Sequence, residues 1–244
     1  MKSKNSFLHF FQKIFIHALL WLACCFALLP IIRILSISLK NENSLFSLEL
    51  NLLPTDDMSF ENYKNILLQK DFLVWFANSL MITLATSFIG VSLAATAAYA
   101  FSRYQFPGKK LGLIFLMITQ MLPAVMLILP IYLILTKMAL INSFIGLVLA
   151  YCVTALPFSI WILKGYFDSV PKSLEEAARL DGCNEIQAFY KILLPLSKPS
   201  LAITFLFNFT TAWNEYLIAQ TVLKSPSLFT WPLGLNSLVG QMSS

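Results

Sequence analysis

Five apolar runs of about twenty residues, at 14–32, 74–99, 111–135, 144–163 and 200–223, constrain this chain more than anything else in it. A run of that length matches the hydrocarbon thickness of a bilayer when helical. In lipid every backbone N–H and C=O must be satisfied internally, so only helices or a closed barrel can cross. Barrel strands show alternation over roughly ten residues; these runs are longer and continuous, which selects helices. Composition agrees: 58% of the 244 residues are hydrophobic and 12% charged, against about 25% charged in soluble domains. The expected fold is therefore all-α, a polytopic helical membrane protein with five spans. The net charge of +5 is spread along the chain. No basic patch interleaved with aromatics appears, which argues against nucleic acid as a partner.

In chain order, residues 1–39 hold a basic N-terminus (Lys2, Lys4, Lys13) and the first span, entered from the cytoplasm. A cleaved signal peptide is the competing reading; the run is too long for that, and Leu22-Ala23-Cys24-Cys25 is a poor lipoprotein cleavage site. Residues 40–72 carry Glu42, Glu49, Asp56, Asp57, Glu61 and Asp71 and are expected outside. Residues 73–223 form the membrane core, with a cytoplasmic loop at 164–199. Pro123, Pro130 and Pro157 are expected to kink spans that stay continuous. Residues 224–244 form an outer tail, too short and too polar to cross. This topology puts eleven lysines and arginines inside (Lys2, Lys4, Lys13, Arg103, Lys109, Lys110, Lys164, Lys172, Arg179, Lys191, Lys198) and five outside (Lys40, Lys64, Lys70, Lys137, Lys224), following the positive-inside rule. Cys24, Cys25, Cys152 and Cys183 form no metal-like pairing, so no metal site is expected.

The longest polar, helix-patterned stretch is 171–199. Ser173 and Glu176 have capping-box spacing, and Glu175 and Arg179 have the favourable i,i+4 order. Gly182 falls where a left-handed residue would end the first helix. Asn184 and Gln187 repeat the capping pattern for a second helix, with Ile186, Phe189, Tyr190 and Leu193 on one face. Pro195 and Pro199 should stop it. A plain surface helix pair joining two spans would show the same capping.

The residue string goes further. Glu176-Ala177-Ala178, then Gly182, Ile192, Leu194 and Pro195 at fixed spacing, resembles the EAA motif of ABC-importer permeases. Asn78-Ser79-Leu80, Ala98-Tyr99-Ala100-Phe101-Ser102-Arg103, Phe106-Pro107-Gly108, Pro130-Ile131-Tyr132, Lys164-Gly165-Tyr166-Phe167 and Trp213-Asn214-Glu215-Tyr216 resemble carbohydrate permeases of that family. The likeness covers nearly the whole chain and is strongest to MalG-type permeases of maltose and malto-oligosaccharide importers. It implies an ABC type I importer permease fold in the inner membrane of a bacterium. It implies a second permease subunit, a dimer of ABC ATPase subunits and an extracytoplasmic sugar-binding protein as partners. The family continues into a sixth span, which the chain, ending after Ser244, is expected to lack.

No phosphate-binding Gly-x-x-x-x-Gly-Lys loop is present, and His9 and His17 have no acidic partners, so the chain is expected not to be an enzyme. It is expected to hold no cofactor; ATP and Mg belong on the partner ATPase. The resemblance assigns coupling to Glu176, Ala177, Ala178, Asp181, Gly182, Ile192, Leu194 and Pro195. Asp181 could instead be a simple cap. Glu215 is the one acidic residue inside an expected span and a functional candidate. With Asn208, Thr211 and Asn214 it could line a translocation pathway; pairing with a polar neighbour is the plainer alternative. The uncharged tail, with Trp231, Leu233, Gly234 and Leu235, could meet the binding protein's ligand cleft, or rest at the membrane interface. The expected cargo is a neutral sugar, malto-oligosaccharide first; another oligosaccharide or glycerol phosphate is the alternative. An ion-coupled secondary transporter or a non-transporting scaffold are the rival classes.

Overall fold

The computed structural model of the chain describes residues 3–39, 58–68 and 70–242. Most of the polar segment expected outside, including Glu42, Glu49, Asp56 and Asp57, lies outside the described residues, as does Lys2. The described residues are helical, with no β-strand, so the all-α expectation holds.

The chain divides into two compact units, Met1–Gln69 and Lys70–Ser244. In the first, α1 (Ser3–Ser38) is a single long helix that runs through Pro30. Residues 12–32 are exposed along it, as suits a helix solvated by lipid. The short α2 (Glu61–Leu68) returns to its end: the Ser38 hydroxyl and the Tyr63 hydroxyl are 2.6 Å apart, and Asn62 Nδ2 donates to the Ser38 carbonyl.

The second unit is built on α3 (Lys70–Arg103) and α6 (Phe144–Ser169), which pack along most of their length. The α3 seam is made of small residues, Ser79, Thr83, Ser87, Gly90, Ala94 and Ala98, all buried. Small residues let membrane helices approach closely where lipid gives no hydrophobic drive. Thr83 and Ser87 hydroxyls donate back to the carbonyls of Ser79 and Thr83, so this polar seam needs no water. α10 (Lys198–Asn214) lays Ser200, Thr204, Asn208 and Ala212 against the seam at four-residue spacing.

Two of the five expected spans are broken. Residues 111–135 are not one kinked helix: α4 (Lys109–Met121) and α5 (Ala124–Lys137) meet at a 110° bend. Leu122 is extended (ψ 134°), the conformation a following proline imposes, and Pro123 offers no N–H to carry the helix on. Pro130 and Pro157, by contrast, stay inside α5 and α6. The run 200–223 is likewise two helices, α10 and α11 (Leu217–Val222), separated by an extended Glu215. Three helices are long and apolar enough to cross a bilayer, Gln12–Ser38, Asp71–Arg103 and Phe144–Ser169; up to five crossings result if two bent pairs, Lys109–Met121 with Val125–Lys137 and Glu185–Leu196 with Lys198–Asn214 (77°), are each counted as one span.

The tail is not a separate loop. It forms a 3-10 turn, Pro226–Leu228, and a helix, α12 (Trp231–Met242), within the second unit. Two apolar cores join α3 and α6 to the other elements. One gathers Ile82, Leu147, Ile218, Val222 and Leu233; the other gathers Ala94, Ala98, Leu163, Phe167, Phe189 and Leu193.

Candidate functional site

The polar stretch folds as α7 (Lys172–Leu180), α8 (Glu185–Ala188), a π-helical turn (Phe189–Leu193) and α9 (Leu194–Leu196). The joint is the expected glycine. Gly182 has φ +90°, its N–H bonds the Arg179 carbonyl, and the Cys183 N–H bonds the Ala178 carbonyl. This is a Schellman closure, which satisfies carbonyls the helix end would otherwise leave open. Asn184 and Gln187 form the expected reciprocal capping box at 2.8 and 3.0 Å.

Three local expectations fail, each for a packing reason. Ser173 does not cap α7; Pro171 occupies the N-cap position and Ser173 lies one residue inside the first turn. Glu175 does not pair with Arg179. It turns inward, and its Oε1 accepts from Arg103 Nε of α3 at 2.6 Å, with the two side chains 6% and 8% exposed. Arg179 instead lies 3.7 Å from Glu185. The face expected for the second helix splits: Phe189 and Leu193 are buried, while Ile186 and Tyr190 are exposed. Phe189 and Leu193 take the half of that arc that packs on Leu163 and Phe167, and the other half is left outside; within the segment a π-turn forms, where the Leu194 N–H reaches back five residues to the Phe189 carbonyl. The wider turn sits just ahead of Pro195, whose ring would crowd the carbonyl four residues back in a regular helix.

Of the motif residues, Glu176, Ala177, Asp181, Gly182 and Pro195 are exposed, Ile192 and Leu194 are half-buried, and Ala178 is buried. The backbone N–H of Asp181 closes the end of α7 on Ala177. Leu180 is 90% exposed, one helical turn on from Glu176 and Ala177, and Ile186 of α8 is exposed as well. Behind the pair is an open-sided cavity of about 160 Å³ lined by Tyr99, Arg103, Tyr104, Lys172, Glu175, Arg179, Glu185 and Ala188. There the Tyr104 hydroxyl donates to the Glu185 carboxylate, which holds that phenol above its ordinary pKa.

The four expected pathway residues separate. Asn208 is fully buried, wedged between Gly90 and Ser159, whose hydroxyl donates to Asn208 Oδ1 at 2.9 Å. It is a helix-packing residue and lines no surface. Thr211 and Asn214 are exposed on α10, beside Thr210. Glu215 caps: its two carboxylate oxygens accept from the Ile218 and Ala219 N–H groups at 2.8 and 3.1 Å. Its polar partners are backbone amides of the next helix, and the residue itself is half-buried.

The tail residues are engaged by α3. Trp75 Nε1 donates to the Pro226 carbonyl, Asn78 Nδ2 donates to the Ser227 and Phe229 carbonyls, and Ser79 Oγ accepts from the Trp231 N–H. The Trp231 ring packs on Phe72 and Phe76. Leu233 and Gly234 are buried and Leu235 half-buried. A Cβ at Gly234 would sit 2.1 Å from the Trp75 ring, so the glycine permits the close approach of α12. Leu233 and Gly234 are thus core, not loop.

Several residues that matter escaped assignment from sequence. Arg103, Ser102, Lys164 and Asp168 form a connected polar group: Asp168 accepts from Ser102 Oγ and Lys164 Nζ, both at 2.6 Å. Their signal was present, since Ser102-Arg103 and Lys164 lie in two of the strings that carried the resemblance. What the sequence lacked was the pairing across more than sixty residues.

Residues 87–241 match the family described as the binding-protein-dependent transport system inner membrane component. The chain is 34% identical over 181 residues to the maltodextrin transport system permease protein MdxG of Bacillus subtilis, covering 74% of this chain and 65% of that one. It is 30% identical over 236 residues to the galactooligosaccharides transport system permease protein GanQ of the same organism, covering 96% and 82%. A crystal structure of a bacterial ABC transporter involved in the import of the acidic polysaccharide alginate superposes with a TM-score of 0.82 at 27% identity, covering 99% of this chain and 83% of that one. With its polytopic helical fold and its capped helix pair, the chain belongs to the binding-protein-dependent inner membrane components, the permeases of ABC importers.

Proposed function

We propose that this chain moves a neutral oligosaccharide across the inner membrane, malto-oligosaccharide first, driven by ATP hydrolysis on a separate subunit that docks on α7 and α8. The observation that carries the docking is the exposed face of that pair: Glu176, Ala177, Leu180 and Ile186 point away from a joint fixed by the Gly182 turn and the Asn184 box. Exposed apolar side chains and a carboxylate, on a capped and rigid support, suit a protein partner. The proposed partners are an ATPase dimer carrying ATP and Mg, a second permease subunit and an extracytoplasmic sugar-binding protein. The cargo follows from MdxG and GanQ, whose names specify oligosaccharides, and from the uncharged Thr210, Thr211 and Asn214 exposed on α10. Ion-coupled carriage is disfavoured because both oxygens of Glu215 already serve backbone amides.

Co-purification of an ATPase subunit, together with uptake of labelled maltotriose that requires it, is the expected result. Uptake without the ATPase would overturn the reading, and ATPase binding with no sugar uptake would leave only a scaffold.

Orientation gives a second expected result. Cys183 should face the cytoplasm and position 57 the outside. A membrane-impermeant thiol reagent on intact cells should label Asp57→Cys and spare Cys183, which should react once cells are permeabilised. The reverse pattern would invert the topology.

A further inference from the structure

Glu175 and Glu176 are adjacent but face opposite ways. Glu176 is exposed on the docking face; Glu175 is one of only two buried residues of α7, the other being Ala178. A nine-residue helix held by an alanine and a carboxylate has little apolar anchorage. α7 packs mainly on α8 and the π-turn, so a large part of its tie to α3 is a side-chain tie. That tie is the Arg103 guanidinium, which forks three ways: Nε to Glu175 at 2.6 Å, Nη1 to Ser102 Oγ at 3.2 Å and Nη2 to the Val170 carbonyl at 3.1 Å. Val170 ends α6, and Ser102 also donates to Asp168 of α6. One guanidinium therefore joins the ends of α3 and α6 to the docking helix.

We infer that Arg103 and Glu175 are positioning residues that transmit displacement of the docking helix to α3 and α6, the pair on which the membrane core is built. This rests on the docking proposed above. Arginine's planar fork fixes direction as well as distance, which lysine's single ammonium cannot do. Burial keeps water from replacing the contact when the helix is pushed. A strut of this kind passes force along its length, whereas an alanine contact would slip.

A buried pair also supports folding, and removing one partner strands a buried charge. The experiment separates the two roles with Arg103→Gln, Glu175→Gln and the double substitution, each in the assembled importer with ATPase and binding protein, reading membrane level, ATPase co-purification and sugar molecules taken up per ATP hydrolysed. The singles should be depleted in the membrane. The double carries no lone charge, so its membrane level and ATPase co-purification should return to near wild type while uptake per ATP stays at least fivefold down. Arg103→Lys should fold and give an intermediate ratio. Wild-type uptake per ATP in the double, or absence of the double from the membrane, would overturn the proposal, the latter by making the pair structural. If the unmodified chain fails to co-purify with the ATPase, the docking reading falls first and this inference with it.

Discussion

Gly182→Pro should abolish sugar uptake, by a hundredfold or more, while the chain still inserts in the membrane. Gly182 sits at φ +90°; proline is locked near −65° and cannot adopt that value. The substitution also deletes the N–H that bonds the Arg179 carbonyl. The turn must reopen, and the angle between α7 and α8 goes with it. The cost is local, about 3 kcal/mol or more, and the packing of the α3–α6 core does not involve this residue. Gly182→Ala is the control. A Cβ there meets nothing within 4 Å, so only the left-handed backbone is penalised. That penalty is roughly 1 kcal/mol, and uptake should fall no more than a few fold. Uptake, ATPase co-purification and membrane level should be measured on both variants. Proline with wild-type uptake would remove the joint from the mechanism. Equal losses in both variants would mean that any side chain blocks the partner, since alanine leaves the turn closed.

How far the sequence could be read depended on how local each determinant was. Hydrophobic run length gave helices because it is read along one continuous segment, and capping chemistry gave the second box and the Gly182 turn because each is decided within a few residues. The breaks at Leu122 and Glu215 were hidden for different reasons. A proline inside an apolar run is compatible with a kink or a break; Pro130 and Pro157 stay helical while Pro123 does not. At Glu215 the carboxylate satisfies amides three and four residues on, a pattern that reads equally as a lumen-facing acid. The residues proposed for docking were legible through the EAA spacing. Their support was not, because Arg103 and Glu175 pair across 72 residues; the hold of α3 on the tail was hidden in the same way, since Asn78 reaches Ser227 and Phe229 across 149 and 151 residues. Asn208 was misplaced for the same reason: polarity marked it as pathway-lining, and only tertiary packing shows it held between Gly90 and Ser159. The tail misled through composition. Its proline, glycine and aromatic content suggests a loose loop, yet Gly234 and Trp231 serve to seat α12 on Trp75, Phe72 and Phe76. A deletion of residues 233–238 would consequently remove core packing along with any contact to a binding protein.

Glu215→Ala is expected to lower both folded protein and uptake, and the reason fixes how the two should move together. The carboxylate closes the start of α11 from within the membrane core, one oxygen on each of two N–H groups. Without it those donors face apolar neighbours, since Ile218, Ala219 and Val222 of α11 are buried in the core shared with Ile82 and Leu147. An unmet buried donor costs about 1–3 kcal/mol, so two cost roughly 2–6 kcal/mol, a large share of the stability of an ordinary domain. Glu215→Gln keeps one acceptor oxygen and should lose about half as much. Thermal unfolding of the detergent-solubilised protein should rank wild type above Glu215→Gln above Glu215→Ala, with uptake falling in proportion to the folded fraction. A pathway residue behaves differently: its loss lowers uptake while the unfolding midpoint stays put. Were Glu215→Ala to unfold at the wild-type temperature and still fail to transport, the capping account would be wrong and the carboxylate would belong to the cargo's route.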